Sequence, residues 1–169
     1  MAKKEIILVD EKDREVGIGE KLKVHQEGKL HRAFSIFIFN SKDQMLLQKR
    51  AKTKYHSPSL WSNACCSHPK PNKKLLDEAK RRLKEEMGFV CDLKESFSFV
   101  YKVKVEDLIE YEFNHVFLGK FDGSPRLDKA EVGDWKWVVL EELKEDVEKN
   151  PENYTPWFKI LLGKIYDKV

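Results

Sequence analysis

The 169-residue sequence predicts an α+β or layered α/β fold: one mixed β-sheet sandwiched by helices. Three observations lead there. Short apolar or alternating runs recur along the chain, one strongly amphipathic segment interrupts them, and two helical segments follow the last of them. The length suits a single sizeable core, so residues 1–169 read as one domain.

Strands are expected at 5–10, 33–40, 44–50, 96–104, 111–121 and 135–140. "AFSIFIFN" (33–40) is apolar almost throughout, as suits a central strand buried on both faces. "NSKDQ" then reads as a hairpin turn into "MLLQKR". Residues 73–88 make the best helix. Leu75, Leu76, Ala79, Leu83 and Met87 form a stripe at three- and four-residue spacing, and Gly88 supplies the stop. "FDGSPRLDKAEVGD" (121–134) is expected to be a loop. Helices follow at 140–148 and 156–167, where Pro156 suits the first helical position.

Composition narrows the function. Hydrophobic residues make up 41% and charged residues 36%, as in a soluble globular protein. No apolar run approaches the roughly 18 residues of a membrane span, and "MAKKEIILVD" lacks the apolar core and cleavage site of a secretory signal. Net charge is +3, with Lys and Arg interspersed among acids, so neither nucleic acid nor membrane is an expected partner. Three cysteines in such a chain point to a reducing, cytoplasmic setting. Cys65 and Cys66 are neighbours, which argues against a disulfide between them and against a Cys-x-x-Cys redox motif.

Several groups of residues carry chemistry. "WSNACCSHP" (61–69) puts two cysteines and a histidine within four residues; local spacing does not choose between a metal knot, a redox pair and a nucleophile. His25, His31 and His68 lie before or at strand edges, where a histidine taken alone is most often a surface or core residue. His56 and His115 show no partners. In "IEYEF", Glu110 and Glu112 share one strand face, either as a solvated face or as paired oxygen ligands. Three imidazoles and two carboxylates would suit Mn²⁺, Mg²⁺ or Zn²⁺.

Glu78, Arg82 and Glu86 recur every four residues as a charged stripe, by default a surface ladder. "RRLKEEMGF" (81–89) also resembles the end of a Nudix signature, whose clustered carboxylates hold Mg²⁺ on a diphosphate. Arg82 and Lys73 stand where that signature has glutamates, so the resemblance implies the fold with a broken hydrolytic metal set. Lys21, Arg50, Lys54 and Arg82 lie near expected element ends, where side chains can converge on an anion.

Set in chain order, "EKLKVHQEGKLHRAFS" (20–35), "QKRAKTKYHSPSLWSNACCSHP" (48–69), "RRLKEEMG" (81–88), "EYEFNHVF" (110–117) and "TPWF" (155–158) resemble the type 1 isopentenyl-diphosphate isomerases over nearly the whole chain. The resemblance implies a Nudix-like fold, a single catalytic domain and isomerisation of a five-carbon diphosphate by a monomer. His25, His31, His68, Glu110 and Glu112 match that family's site for one divalent metal. Cys66 matches the catalytic cysteine and Cys65 its variable neighbour. Glu112 also matches the catalytic glutamate and Tyr101 the tyrosine assisting it. Glu86 matches the carboxylate associated with Mg²⁺ on the diphosphate. Lys21, Arg50, Lys54 and Arg82 match the anion-binding residues, and Trp157 the aromatic over the hydrocarbon. Ser67, counted with the substrate-binding residues, stands where some members have glycine.

Overall fold

The computed structural model describes residues 3–169, so the first two residues of the expected domain lie outside the description. Its nine strands belong to one mixed sheet. They are β1 (Glu5–Val9), β2 (Glu15–Glu20), β3 (His31–Phe39), β4 (Met45–Arg50), β5 (Trp61–Asn63), β6 (Cys65–Ser67), β7 (Leu93–Val105), β8 (Leu108–Lys120) and β9 (Val132–Val138). The helices are α1 (Lys21–Glu27), α2 (Leu75–Met87), α3 (Leu140–Lys149) and α4 (Pro156–Ile165).

β3 is the hub. Along one edge it pairs in parallel with β8, from His31 opposite Glu112 to Phe39 opposite Lys120. It also meets β1 at its start, β6 in its middle and β4 at its end. Because successive strand side chains alternate faces, β3 feeds two cores. Phe34, Ile36 and Ile38 pack with Ala79, Leu83 and Met87 of α2. Phe37 and Phe39 pack with Phe158, Leu161 and Leu162 of α4. An uninterrupted apolar run is the signature of such a strand.

Where the sequence carried strong periodicity, the elements stand close to expectation. Gly88 ends α2 at φ 75°, its amide donating to the Lys84 carbonyl. An added Cβ there would sit 2.3 Å from the Arg126 carbonyl oxygen, so the left-handed turn and the close approach both require glycine. Pro156 opens α4, and the Thr155 hydroxyl accepts the Phe158 amide as its cap.

Four short elements lacked a readable period. β2 is an edge strand of mixed exposure, and β5 and β6 have three residues each. Two-turn α1 depends on a cap more than on an apolar stripe: the Glu20 carboxylate accepts the Leu22 and Lys23 amides. His25 therefore lies on a helix, not at a strand edge. The expected 121–134 loop ends three residues early, at Val132 of β9.

Candidate active site

The residues of interest converge on one cavity of about 820 Å³. His68, Glu110 and Glu112 form its first wall, and the buried His25 and His31 complete their cluster away from the lining. The ring centroids of His25, His31 and His68 lie 4.7, 5.3 and 5.0 Å apart in pairs. With Glu110 and Glu112, these residues bring one ligating atom each to within 4.8 Å of one another. Neither carboxylate faces solvent, which sets aside the solvated-strand reading: Glu110 is 6% exposed and Glu112 7%.

Backbone carbonyls orient two of these rings. His25 Nδ1 lies 2.7 Å from the Lys21 carbonyl oxygen, and His31 Nδ1 lies 2.9 Å from that of Lys29. Donation from Nδ1 leaves His31 Nε2 with a lone pair aimed into the cluster, whereas His25 Nε2 lies 3.1 Å from Glu110 Oε2. Burial lowers His31 to about 4 and drives His68 well below its ordinary range. Both rings are thus neutral at pH 7, and Nε2 of each is buried without a hydrogen-bond partner. Burial opposes protonation of His25 as well, but the hydrogen bond and charge of Glu110 outweigh it and raise the value. Orphaned imidazole nitrogens beside two carboxylates fit a divalent ion, and all five residues would hold it.

Glu112 has two differently occupied oxygens. Oε1 lies 3.5 Å from His68 Nε2 and 3.9 Å from His31 Nε2. Oε2 accepts a 2.8 Å hydrogen bond from Tyr101 Oη and another of 2.8 Å from Asn114 Nδ2. Burial alone would raise this acid, but the neighbouring imidazoles, His68 foremost, hold it below the usual carboxylate range. Burial, then the charges of Glu112 and Glu110, push the Tyr101 phenol well up.

β6 sends its two cysteines in opposite directions. Cys65 is fully buried in the core beneath α2, whereas half-buried Cys66 lines the cavity with Ser67, His68 and Glu112. All three cysteines are free. The Cys66 thiol donates to Asn63 Oδ1 at 3.1 Å and lies 3.4 Å from Ser35 Oγ. Burial pushes it up to about 12 despite those two groups, so it is a thiol at neutral pH.

The basic residues form the other wall. Lys21, the first residue of α1, and Arg50, the last of β4, make no ion pair among the described residues. Arg50 donates to the carbonyls of Ser57 and His56, and its guanidinium sits 5.2 Å from the centroid of the Trp157 ring. Lys54 and Arg82 are engaged already: Lys54 lies 2.7 Å from Glu131, and Arg82 reaches Glu85 and Glu86 at 2.6 Å each. Arg82 also lies in the middle of α2 instead of near an element end. Gln48 steadies Glu86 from the other side, donating 2.9 Å to Oε2.

The expected charged stripe divides accordingly. Glu78 pairs with Arg81 outside the lining, whereas Arg82 and Glu86 stand in the cavity wall beside Arg81 and Glu85. His115, for which the sequence offered no partner, lies between Glu95 and Asp13. His56 packs edge-on against Trp157, with ring centroids 5.6 Å apart. Gln48, Asn63, Asn114 and Glu131 carry no signal in the sequence, because their roles come from neighbours remote along the chain.

Comparison with known proteins adds an independent line. A sequence-family description of the NUDIX domain matches residues 29–158. Isopentenyl-diphosphate Delta-isomerase 2 of Aromatoleum aromaticum is 54% identical over 162 residues, covering 95% of this chain and 86% of that protein. The isopentenyl-diphosphate Delta-isomerase of Burkholderia multivorans is 49% identical over 160 residues, covering 94% and 91%. The chain belongs to the isopentenyl-diphosphate Delta-isomerases, within the NUDIX group.

Solved structures agree on the fold of this isomerase family member. A Deinococcus radiodurans protein superposes with a TM-score of 0.82 at 17% identity, covering 96% of this chain and 99% of that one. A MutT protein from Methanosarcina mazei gives 0.67 at 17% identity, covering 82% and 94%. These distant likenesses establish architecture alone. The two departures from the Nudix signature fall inside this isomerase's cavity wall, where Arg82 pairs with Glu86 and Lys73 lines the cavity.

Proposed function

We propose that this chain interconverts isopentenyl diphosphate and dimethylallyl diphosphate in isoprenoid biosynthesis, by protonating and deprotonating the carbon skeleton at the cavity lined by Cys66 and Glu112. Residues 1–169 act as one catalytic domain, as a cytoplasmic monomer handling a small-molecule diphosphate, with no nucleic-acid or membrane partner. No described helix is long and apolar enough to cross a membrane.

The substrate C–H bonds are too weakly acidic for direct removal by a side chain. Protonation of the terminal alkene carbon creates a methyl group and a tertiary carbocation; loss of a proton from the neighbouring methylene then places the double bond one position along. Proton count and charge balance over the two steps. The site needs one acid and one base reaching the same skeleton, and the roles exchange in the reverse direction. Cys66, a thiol, and Glu112, an ionised carboxylate in contact with Tyr101 Oη, are that pair.

Water would add to the cation, so a walled cavity matters. The Trp157 ring contributes on the order of 2 kcal/mol toward a desolvated cation. That is small beside what a carbocation requires, so the charge of Glu112 contributes more. Mn²⁺, Mg²⁺ or Zn²⁺ held by His25, His31, His68, Glu110 and Glu112 would fix the glutamate and tune its acidity. Glu86 would carry Mg²⁺ to the diphosphate, which Lys21, Arg50, Lys54, Arg82 and Ser67 bind. Seating the diphosphate displaces part of the Lys54–Glu131 and Arg82–Glu86 pairing.

The observation that carries this reading is that a thiol and a tyrosine-capped carboxylate line one cavity whose far reach is basic. The test is incubation of the protein with isopentenyl diphosphate and Mg²⁺ in deuterated water. Deuterium is expected in the new methyl of the product and, through the reverse reaction, at the methylene of recovered isopentenyl diphosphate. Cys66→Ser is expected to fold and bind metal while turnover falls by about 10²–10⁴-fold. Phosphate or pyrophosphate release without isomerisation, surviving Cys66→Ala, would instead identify a hydrolase.

A further inference from the structure

On the cavity-facing side of β8, the residues run Glu110, Glu112, Asn114, Val116. The first two carry the site chemistry and Val116 belongs to the α4 core. Asn114 fits neither group. It is 1% exposed, lies outside the cavity lining, and has Ala33 and Phe99 as register neighbours on β3 and β7. Its amide nitrogen lies 2.8 Å from Glu112 Oε2, while its Oδ1 is buried without any partner.

The amide orientation follows from that environment. A flip would set two acceptors against each other, so the nitrogen must face the carboxylate. The fold thus leaves an amide oxygen unsatisfied in order to keep one N–H on Glu112, at a position where an apolar side chain would match Val116 beyond it. Buried polar groups are almost always satisfied, and an exception requires a reason.

We propose that Asn114 is a positioning residue for the isomerase reaction, acting through Glu112. Tyr101 and Asn114 together occupy Oε2. This fixes the carboxylate plane and turns Oε1 toward His31 and His68. Glu112 therefore stays in one rotamer while charge develops on the substrate. Without the amide, Oε2 keeps a single donor, and the carboxylate can rotate out of line with the skeleton. The diphosphate contacts are untouched, because Asn114 reaches none of the basic residues.

This inference rests on the proposed isomerase reading, and the experiment separates the two. The wild type, Asn114→Leu, Tyr101→Phe and the double variant are compared for kcat, KM, metal content and Tm. Loss of one hydrogen bond to a charged group is expected to lower kcat by about 10–100-fold, with KM unchanged, metal retained and Tm held or raised because the orphan oxygen is gone. The double variant is expected to fall short of the product of the single effects, since both act on one oxygen. A merely structural asparagine would lose Tm and kcat together and combine with Tyr101→Phe additively. If the leucine variant does not fold, Asn114→Val, smaller and β-branched, replaces it. A kcat within about threefold of wild type, multiplicative effects, or failure of both variants to fold would overturn the proposal. An inactive wild type would instead overturn the isomerase reading.

Discussion

Lys21 gives the basic wall a measurable pH signature. It opens α1 on the cavity wall, and burial, then the charges of Lys54 and Lys4, lower its ammonium from 10.5 to about 8. On the proposed reading, below that pH the free enzyme presents a cation to the diphosphate; above it, Lys21 is neutral while the diphosphate stays fully charged. kcat/KM, which reports the free enzyme, is expected to fall as pH rises through about 8, approaching about tenfold per unit above it. The stability effect has the opposite sense. The unfolded lysine holds its proton up to 10.5, so stability rises between pH 8 and 10.5 and is lowest below 8.

The size of the shift corresponds to roughly 3 kcal/mol, the order of what the fold loses by burying this charge at neutral pH. Lys21→Met is therefore expected to stabilise the protein at pH 7 by up to about 3 kcal/mol while kcat/KM drops sharply. Lys21→Arg is expected to abolish the falling limb, because arginine keeps its proton. The assay is kcat/KM by NMR detection of product from pH 6 to 10, with denaturant melts of the same samples. A flat profile to pH 9.5, or an unchanged limb in Lys21→Arg, would refute the assignment.

Two further outcomes are expected. Chelation should lower Tm by about 5–10 °C, equivalent to losing an ion present at 100-fold its Kd; His31→Ala should remove that dependence on chelator, and a chain that unfolds on chelation would be a metal-stabilised module instead. Gly28→Ala should lower stability by about 1–2 kcal/mol and weaken metal binding through α1, because Gly28 sits at φ 63° with Ile109 Cδ1 2.9 Å from an added Cβ; an unchanged melt and unchanged metal affinity would show that the α1 C-terminus is not held there.

What the sequence disclosed follows from how far each signal had to reach. The two-sided burial of β3, the α2 stripe with Gly88, and the Pro156 start are local patterns, visible in a short window. The alternation at Glu110 and Glu112 showed that they share a face. It did not show that the face is buried, because that depends on α1 packing against β8 and bringing His25 to Glu110. α1 itself was hidden: seven residues held by Glu20 and Gly28 have no long apolar period. Motif resemblance, not periodicity, linked His25 to residues more than eighty positions away. The residues that steady the site stayed silent, since a glutamine in β4 acquires meaning only once Glu86 is beside it.

The same two-residue alternation explains how a Nudix architecture hosts chemistry other than phosphate cleavage. α2 stays against one face of the sheet and keeps Glu85 and Glu86 at the cavity edge, both paired with Arg82, which stands where the signature has a glutamate. That exchange replaces a negative charge by a positive one, which favours holding a diphosphate over recruiting the additional cations that hydrolysis requires. The groups proposed to react are instead placed on strands: Cys66 from β6, Tyr101 from β7, Glu112 from β8, with His31 at the start of β3. β3 pairs with both β6 and β8, so one hydrogen-bonded ladder fixes the separation of the sulfur and the carboxylate. A strand-borne thiol and carboxylate cannot drift apart without breaking that ladder, which is the rigidity that the proposed reaction through an unprotected cation demands.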